Sequence, residues 1–296
     1  MGTRWFFVGV RRAIAFQSPK PQLFLAPDTC HLSCYPVMSM IRFLRRFDPS
    51  SIHLLVFDLD GTLIDSRLDL IHSVNATLRH FERPELPGDL IASYVGDGAP
   101  ALVQRALGEE AGSELFDEAL LYFLGYYRMH KLDHTTVYEG IPETLAALAH
   151  GSLGADAPFR RGLPNLDGQS LDVRSPWLHS SGGARLMAVL TNKPVNPSRD
   201  IVQALGLADY FVRVYGGNSF ATKKPDPLGV LTLLGETGVA PQEALMIGDS
   251  AIDVATGRNA GLWTCGVTYG FAPHTLERVP PDVLVERPVE LRELME

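Results

Sequence analysis

From residue 52 onward, apolar runs and apolar stripes alternate along the chain. Ile52 to Phe57 (IHLLVF) is apolar at every position but His53, the pattern of a strand buried on both faces of a parallel sheet. Met187–Leu190, Ala244–Ile247, Trp263–Val267 and Val283–Val285 repeat that pattern, and a shorter strand is expected around Phe211–Tyr215. Between them, apolar residues recur at helical spacing from Ile141 through Leu145 and Leu148, from Ile201 to Leu207, and from Pro227 to Gly235. Strand and helix in alternation predict a doubly wound parallel, Rossmann-like α/β sheet.

One stretch departs from the alternation. Ser66 precedes Leu68, Leu70, Ile71, Val74 and Leu78, an N-cap followed by an apolar stripe. Further helical stripes run over Ala99–Leu107 and Ser113–Tyr127, with the turn Tyr94-Val95-Gly96-Asp97-Gly98 before the first of them. Nothing from 66 to 137 reads as a strand, so these residues are predicted to form a small all-helical cap inserted after the first strand. The α/β core then comprises 51–65 and 138–296. Two segments fit neither pattern. Residues 1–50 lack any period and are expected to be a disordered or spurious extension, with Met40 a natural start point. Gly151–Ala184, rich in Gly, Pro and Ser, stands where a connection of about 2–6 residues is normal. It is expected to be a disordered surface excursion, since lengthening a loop from ~4 to ~35 residues costs only about 2 kcal/mol.

Composition narrows the function classes. Hydrophobic content of 46% and charged content of 20% are those of a soluble globular protein, and no apolar run approaches the ~20 residues that span a bilayer. The net charge of −8 speaks against a nucleic-acid surface. Residues 1–50 carry +5, which leaves −13 on the remainder. A site for an anionic substrate in that acidic body would gain from a bound cation. The three cysteines, Cys30, Cys34 and Cys265, make no disulfide framework and imply a reducing, cytoplasmic setting. Cys30-His31 with Cys34 lacks the second ligand pair a zinc site needs.

The candidate chemistry lies where the strands end. The first delivers Asp58 and Asp60 with Gly61 and Thr62; the second Thr191 and Asn192; the third Asp249 and Ser250, with Asp253 a helical turn further on. Lys223-Lys224-Pro225 lies between the second and third. In open α/β sheets, ligands bind outside the carboxyl ends of the strands. Carboxylates from two strand ends suit an oxygen-seeking Mg²⁺ shared with a phosphate. A hydroxyl, an amide and a lysine supply donors and positive charge to a phosphoryl group. This set describes a metal-assisted phosphoryl-transfer site.

Asp58-Leu59-Asp60-Gly61-Thr62-Leu63, Thr191-Asn192-Lys193, Lys224-Pro225 and Gly248-Asp249-Ser250 with Asp253 resemble, in order, the four motifs of the haloacid dehalogenase-like hydrolases. More narrowly, Thr191-Asn192-Lys193-Pro194 and Tyr215-Gly216-Gly217-Asn218-Ser219 leading to Lys223-Lys224-Pro225 resemble the phosphoglycolate phosphatase branch. The resemblance implies a Mg²⁺-dependent phosphomonoesterase that turns 2-phosphoglycolate into glycolate and phosphate through an aspartyl-phosphate. In it, Asp58 would be the nucleophile, Asp60 the proton carrier, and Lys224 the charge-offsetting lysine. Thr191 and the Asn192 amide would bind the phosphoryl oxygens. Mg²⁺ would be held by Asp58, the Asp60 carbonyl and Asp249, with Asp253 in support. Gly96, Asp97 and Gly98 of the cap turn are the candidates for the carboxylate end of the substrate. The expected partner is a small-molecule phosphate ester, neither nucleic acid nor membrane, met by a monomer or homodimer. A sugar-phosphate mutase on the same core, and a non-catalytic phosphate- or partner-binding module, remain as alternatives.

Overall fold

The computed structural model describes residues 41–108, 112–150 and 185–296. The expected extension up to residue 40, with Cys30, His31 and Cys34, and the excursion 151–184 lie outside the described residues.

Strand β2 (Leu54–Phe57) lies in the interior of a seven-stranded sheet and is buried at all four positions. It pairs in parallel with β5 (Leu186–Leu190) on one side and β7 (Ala244–Gly248) on the other. Beyond β5 lies β6 (Arg213–Tyr215); beyond β7 lie β8 (Trp263–Val267) and β9 (Val283–Val285), all parallel. Because side chains alternate across a strand, the unbroken apolar run of β2 feeds two cores. Leu55 and Phe57 join Met187, Val189, Leu245 and Ile247 against Ile141 and Leu145 of α5 (Ile141–His150), Ile201 of α6 (Val195–Ala204) and Leu291 of α9 (Val289–Met295). Leu54 and Val56 join Ala188, Leu190 and Met246 against Val230 and Leu233 of α7 (Leu228–Thr237). Helix α8 (Ala251–Asn259) packs on β7 and β8. Phe57 stands in register with both Val189 and Ile247, so Asp58, Thr191 and Asp249 leave the sheet at the same edge.

Residues 41–50, expected to belong to the extension, instead pack on the core, and two of them join this sheet. Strand β1 (Arg42–Phe43) closes the edge antiparallel to β9. The Phe47 ring stacks on Trp263 at 5.0 Å, and Arg45 pairs with Asp282 at 2.8 Å. A two-residue strand carries no period, and its anchors lie more than 200 residues away in the chain.

The helices α1 (Arg67–His80), α2 (Gly88–Ser93), α3 (Ala99–Leu107) and α4 (Ser113–His130) enclose their own apolar cluster, including Leu70, Val74, Leu102, Val103 and Phe123. The chain enters this cap through β3 (Ile64–Asp65) and returns through β4 (Thr136–Val137), an antiparallel pair too short to be read from the sequence. Asp69, buried in the first turn of α1, fastens the return: it accepts from the Thr135 N–H at 2.8 Å, the Thr135 hydroxyl at 2.7 Å and the His134 N–H at 2.9 Å. Helix α6 begins at Val195, six residues before the expected Ile201. Pro194 sits at its N-cap, Pro197 is tolerated in its first turn, and the polar run between hid its start from an apolar pattern. Among the described residues no helix is long and apolar enough to cross a membrane.

Candidate active site

Asp58 follows β2 directly and is buried on the floor of a cleft between sheet edge and cap. The Lys224 ammonium bridges two acids: it lies 2.8 Å from Asp58 Oδ1 and donates to Asp253 Oδ1 at 2.6 Å. The Asp58 contact is an ion pair without hydrogen-bond geometry, which leaves Oδ1 buried and without a hydrogen-bond partner. Asp253 lies in the first turn of α8, where its Oδ2 accepts from the Ser250 N–H at 3.1 Å and the Ser250 hydroxyl at 2.6 Å, as in a capping box. Asp249 Oδ2 accepts from the N–H groups of Phe271 and Ala272. Oxygens of Asp58, Asp249 and Asp253 all lie within 4.8 Å of one another.

Three buried carboxylates against one ammonium leave two negative charges, the deficit that a single divalent cation balances. The strain of that deficit shows in the acids. Burial pushes Asp58 up to about 6, with the Lys224 charge pulling the other way and Asp253 adding to the rise. Burial, then the charges of Asp253 and Asp58, push Asp249 up to about 8, against the two backbone N–H groups that favour its anion. Burial also works against the charge on Lys224, but Asp253 and Asp58 outweigh it and hold the ammonium above its ordinary value. The donor set fits an oxygen-ligated divalent ion, since Asp58, Asp249 and Asp253 each bring a carboxylate oxygen to one small cluster. Both Asp253 oxygens are already taken by Lys224 and Ser250, so its part is to support.

Asp60 borders the same cavity but is held by other partners. Its Oδ1 accepts from the Ser66 hydroxyl at 2.5 Å, and the Lys193 ammonium reaches Oδ1 at 2.9 Å and Oδ2 at 3.0 Å. Lys193 Nζ in turn stands 4.6 Å from the centre of the Tyr127 ring of α4, a cation–π contact from the cap. The chain turns sharply after Asp60 at Gly61 (φ +82°), where a Cβ would come 2.4 Å from Asp249 Oδ2; only glycine lets the loop pass so close.

Thr191 and Asn192 follow β5, both buried and both lining the cavity. The Asn192 side-chain amide donates to the Gly96 carbonyl at 3.0 Å and the Lys224 carbonyl at 3.1 Å, tying cap turn to core. Lys223 donates to the Asp97 carbonyl. Gly96 and Gly98 line the cavity with Val95, but the Asp97 carboxylate is turned to Arg105 and does not line it. The Asp97 side chain is thus engaged within the cap, and any contact this turn makes with a substrate falls to its backbone amides. The cavity measures about 480 Å³, with Leu70, Leu102, Phe123 and Leu124 as its apolar cap wall and Arg128 at its border.

The sequence model of the haloacid dehalogenase-like hydrolases matches residues 55–154 and 181–267. The chain belongs to this family. It is 34% identical over 245 residues to a phosphoglycolate phosphatase of Chromobacterium violaceum, covering 81% of this chain and 95% of that one. It is 35% identical over 228 residues to one from Vibrio vulnificus, covering 74% and 85%. Among solved structures, a predicted phosphoglycolate phosphatase from Haemophilus somnus superposes with a TM-score of 0.69 at 26% identity, over 83% of this chain and 99% of that one. A haloacid dehalogenase-like family hydrolase from Streptococcus pneumoniae gives 0.66 at 20% identity over 83% and 99%, a likeness of fold.

Within this haloacid dehalogenase-like frame, the structure brings Asp58, Asp60, Thr191, Asn192, Asp249 and Ser250 to one cavity, with Lys224 and Asp253 buried just behind Asp58. Four residues at or beside this cavity escaped the sequence reading. Lys193 was read only as part of Thr191-Asn192-Lys193, Ser66 only as a helix cap, and Tyr127 only as an apolar stripe residue. Arg128, next to Tyr127, had no signal: an arginine late in a helix reads as a solvated end.

Proposed function

We propose that this chain is a Mg²⁺-dependent phosphoric monoester hydrolase whose substrate is a small phosphorylated carboxylate, foremost 2-phosphoglycolate, cleaved to glycolate and phosphate. The observation that carries it is the cluster of Asp58, Asp249 and Asp253: three buried carboxylates with oxygens within 4.8 Å of one another, two of which line the floor of the cavity beside Thr191 and Asn192. Asp58 attacks phosphorus, forming an aspartyl-phosphate as the bond to the leaving oxygen breaks, and Asp60 gives that oxygen its proton. In the second half Asp60 takes a proton from water, which attacks phosphorus and frees Asp58. Lys193 and Ser66 fix the Asp60 carboxylate in an orientation ready to accept. Lys224 keeps Asp58 in place and offsets its charge. With the side-chain amide of Asn192 spent on carbonyls, its backbone N–H and the Thr191 hydroxyl are the donors left for phosphoryl oxygens. Asp58, Asp249 and the Asp60 carbonyl would hold Mg²⁺, which when bound would supply Lewis-acid polarisation of the phosphoryl group. Asp253 positions Lys224 and Ser250.

The relatives named phosphoglycolate phosphatase support the substrate. The test is phosphate release from a panel of small phosphomonoesters, with Mg²⁺ and with EDTA. Turnover is expected only with Mg²⁺, with 2-phosphoglycolate the best substrate. Asp58→Asn is expected to lose about 10³-fold or more, and retained turnover in that variant overturns the reading. Isomerised sugar phosphate in place of free phosphate would favour the mutase.

A further inference from the structure

We propose that Arg128 sets the substrate specificity of this site by receiving the carboxylate end of the phosphorylated substrate. The inference rests on the phosphomonoesterase reading above and adds to it the residue that selects a second anion.

Two cations line the cavity among its described residues, Lys193 and Arg128. Lys193 is committed: both Asp60 oxygens lie within 3.0 Å of its ammonium. The Arg128 guanidinium has no hydrogen bond or ion pair to any described residue, although acids stand nearby. Asp200, on the α6 side of the cavity border, is already paired with Lys131 at 3.2 Å. Arg128 thus borders the site with an unspent charge and five donors in a fixed fork, the geometry that grips a carboxylate through two parallel bonds.

Its place on α4 decides which part of a substrate it meets. Leu124 and Arg128 are one helical turn apart and both line the cavity, as do Phe123 and Tyr127, so a single face of α4 forms this wall. Tyr127 sits over Lys193, which holds Asp60, so the last turn of α4 stands above the reacting end. The floor beneath belongs to Asp58, Asp249 and the phosphoryl donors. A substrate whose phosphoryl group meets Asp58 directs its other end toward the cap, where the wall is otherwise Leu70, Leu102, Phe123 and Leu124 with Tyr127, whose neutral hydroxyl is the other polar side-chain group there. An apolar wall offers nothing to a carboxylate, and the cap turn presents the carbonyls of Gly96 and Asp97 to donors of the core. Arg128, exposed at the border of that wall, is its one uncommitted cation among the described residues and so the group that offsets the dehydration of a second anion there.

The experiment compares two esters on the full chain with Mg²⁺: 2-phosphoglycolate and 2-hydroxyethyl phosphate, which share the phosphoryl end and differ in the carboxylate. For Arg128→Gln, the ratio of kcat/KM between the esters is expected to fall about 10- to 100-fold, the worth of one charge-assisted hydrogen-bonded contact, and the change is carried by KM. Arg128→Lys should keep an intermediate ratio, since charge remains but the fork is lost. A merely structural arginine would lower both esters together, so a ratio within about twofold of wild type in Arg128→Gln overturns the inference while leaving the phosphatase reading intact. If the wild-type chain hydrolyses neither ester, that reading fails and takes the inference with it.

Discussion

Replacing Lys224 by Met separates the two duties of this residue. Met has nearly the length of lysine and no charge, so the packing survives while two ion pairs vanish: 2.8 Å to Asp58 and 2.6 Å to Asp253. The lysine side chain is 3% exposed and its partners 11% and 1%, so water cannot take its place. Removing one partner of a buried pair strands the other's charge and costs about 3–5 kcal/mol. Against a total stability of about 5–15 kcal/mol that is a large fraction, and at about 2–4 °C per kcal/mol for a chain this long it lowers Tm by roughly 6–20 °C. The stranded acids escape the penalty by binding protons. The loss measured by urea unfolding in EDTA should therefore be largest near pH 8 and shrink toward pH 5. Adding Asp253→Asn to Lys224→Met removes one stranded charge and should restore part of the stability, giving a coupling of about 1–3 kcal/mol in the double-mutant cycle. A loss below about 1 kcal/mol at pH 8, or one of equal size at pH 5, refutes the view that Lys224 neutralises this cluster.

Two more outcomes follow from the same geometry. Asp58 and Asp249 titrate near 6 and 8 in the folded chain against an ordinary 3.8, so between 3.8 and about 8 the folded state holds protons that the unfolded state has lost. Stability in EDTA then falls as pH rises through that window. Saturating Mg²⁺ should restore it by an increment that grows with pH, and a Tm in EDTA that climbs from pH 6 to 8 would contradict this. At the cap turn, Gly98→Ala places a Cβ 2.8 Å from the Asn192 carbonyl oxygen, in a backbone with φ +85°. The strain is about 1–2 kcal/mol, and KM for the phosphate ester is expected to rise several-fold as the turn lifts from the core; an unchanged KM would show that this contact does not shape the closed site.

What could be read in advance, and what could not, divides along a physical line. Asp58, Thr191 and Asp249 were legible as neighbours because parallel strands place all their carboxyl ends on one edge, a consequence of backbone pairing that any apolar run reveals. The short strands β1 and β4 were not legible, since two residues carry no period and pair with segments distant in the chain. Side-chain partnerships were hidden for a stronger reason. Two lysines serve the two aspartates, and spacing alone cannot say that Lys224 goes to Asp58 while Lys193, 133 residues from Asp60, goes to Asp60. Asp97 and Arg128 show the same limit on the cap, where the acid in the glycine turn faces its own helix and the arginine at a helix end borders the cavity. Yet it is this allotment that makes a chemical pair of two identical residues. Asp58 shares a buried lysine with Asp253 and stands beside Asp249, whereas Asp60 has both oxygens bound by a lysine that the cap ring of Tyr127 covers. The first environment favours an attacking carboxylate. The second ties the placing of the Asp60 carboxylate to a ring that the cap supplies.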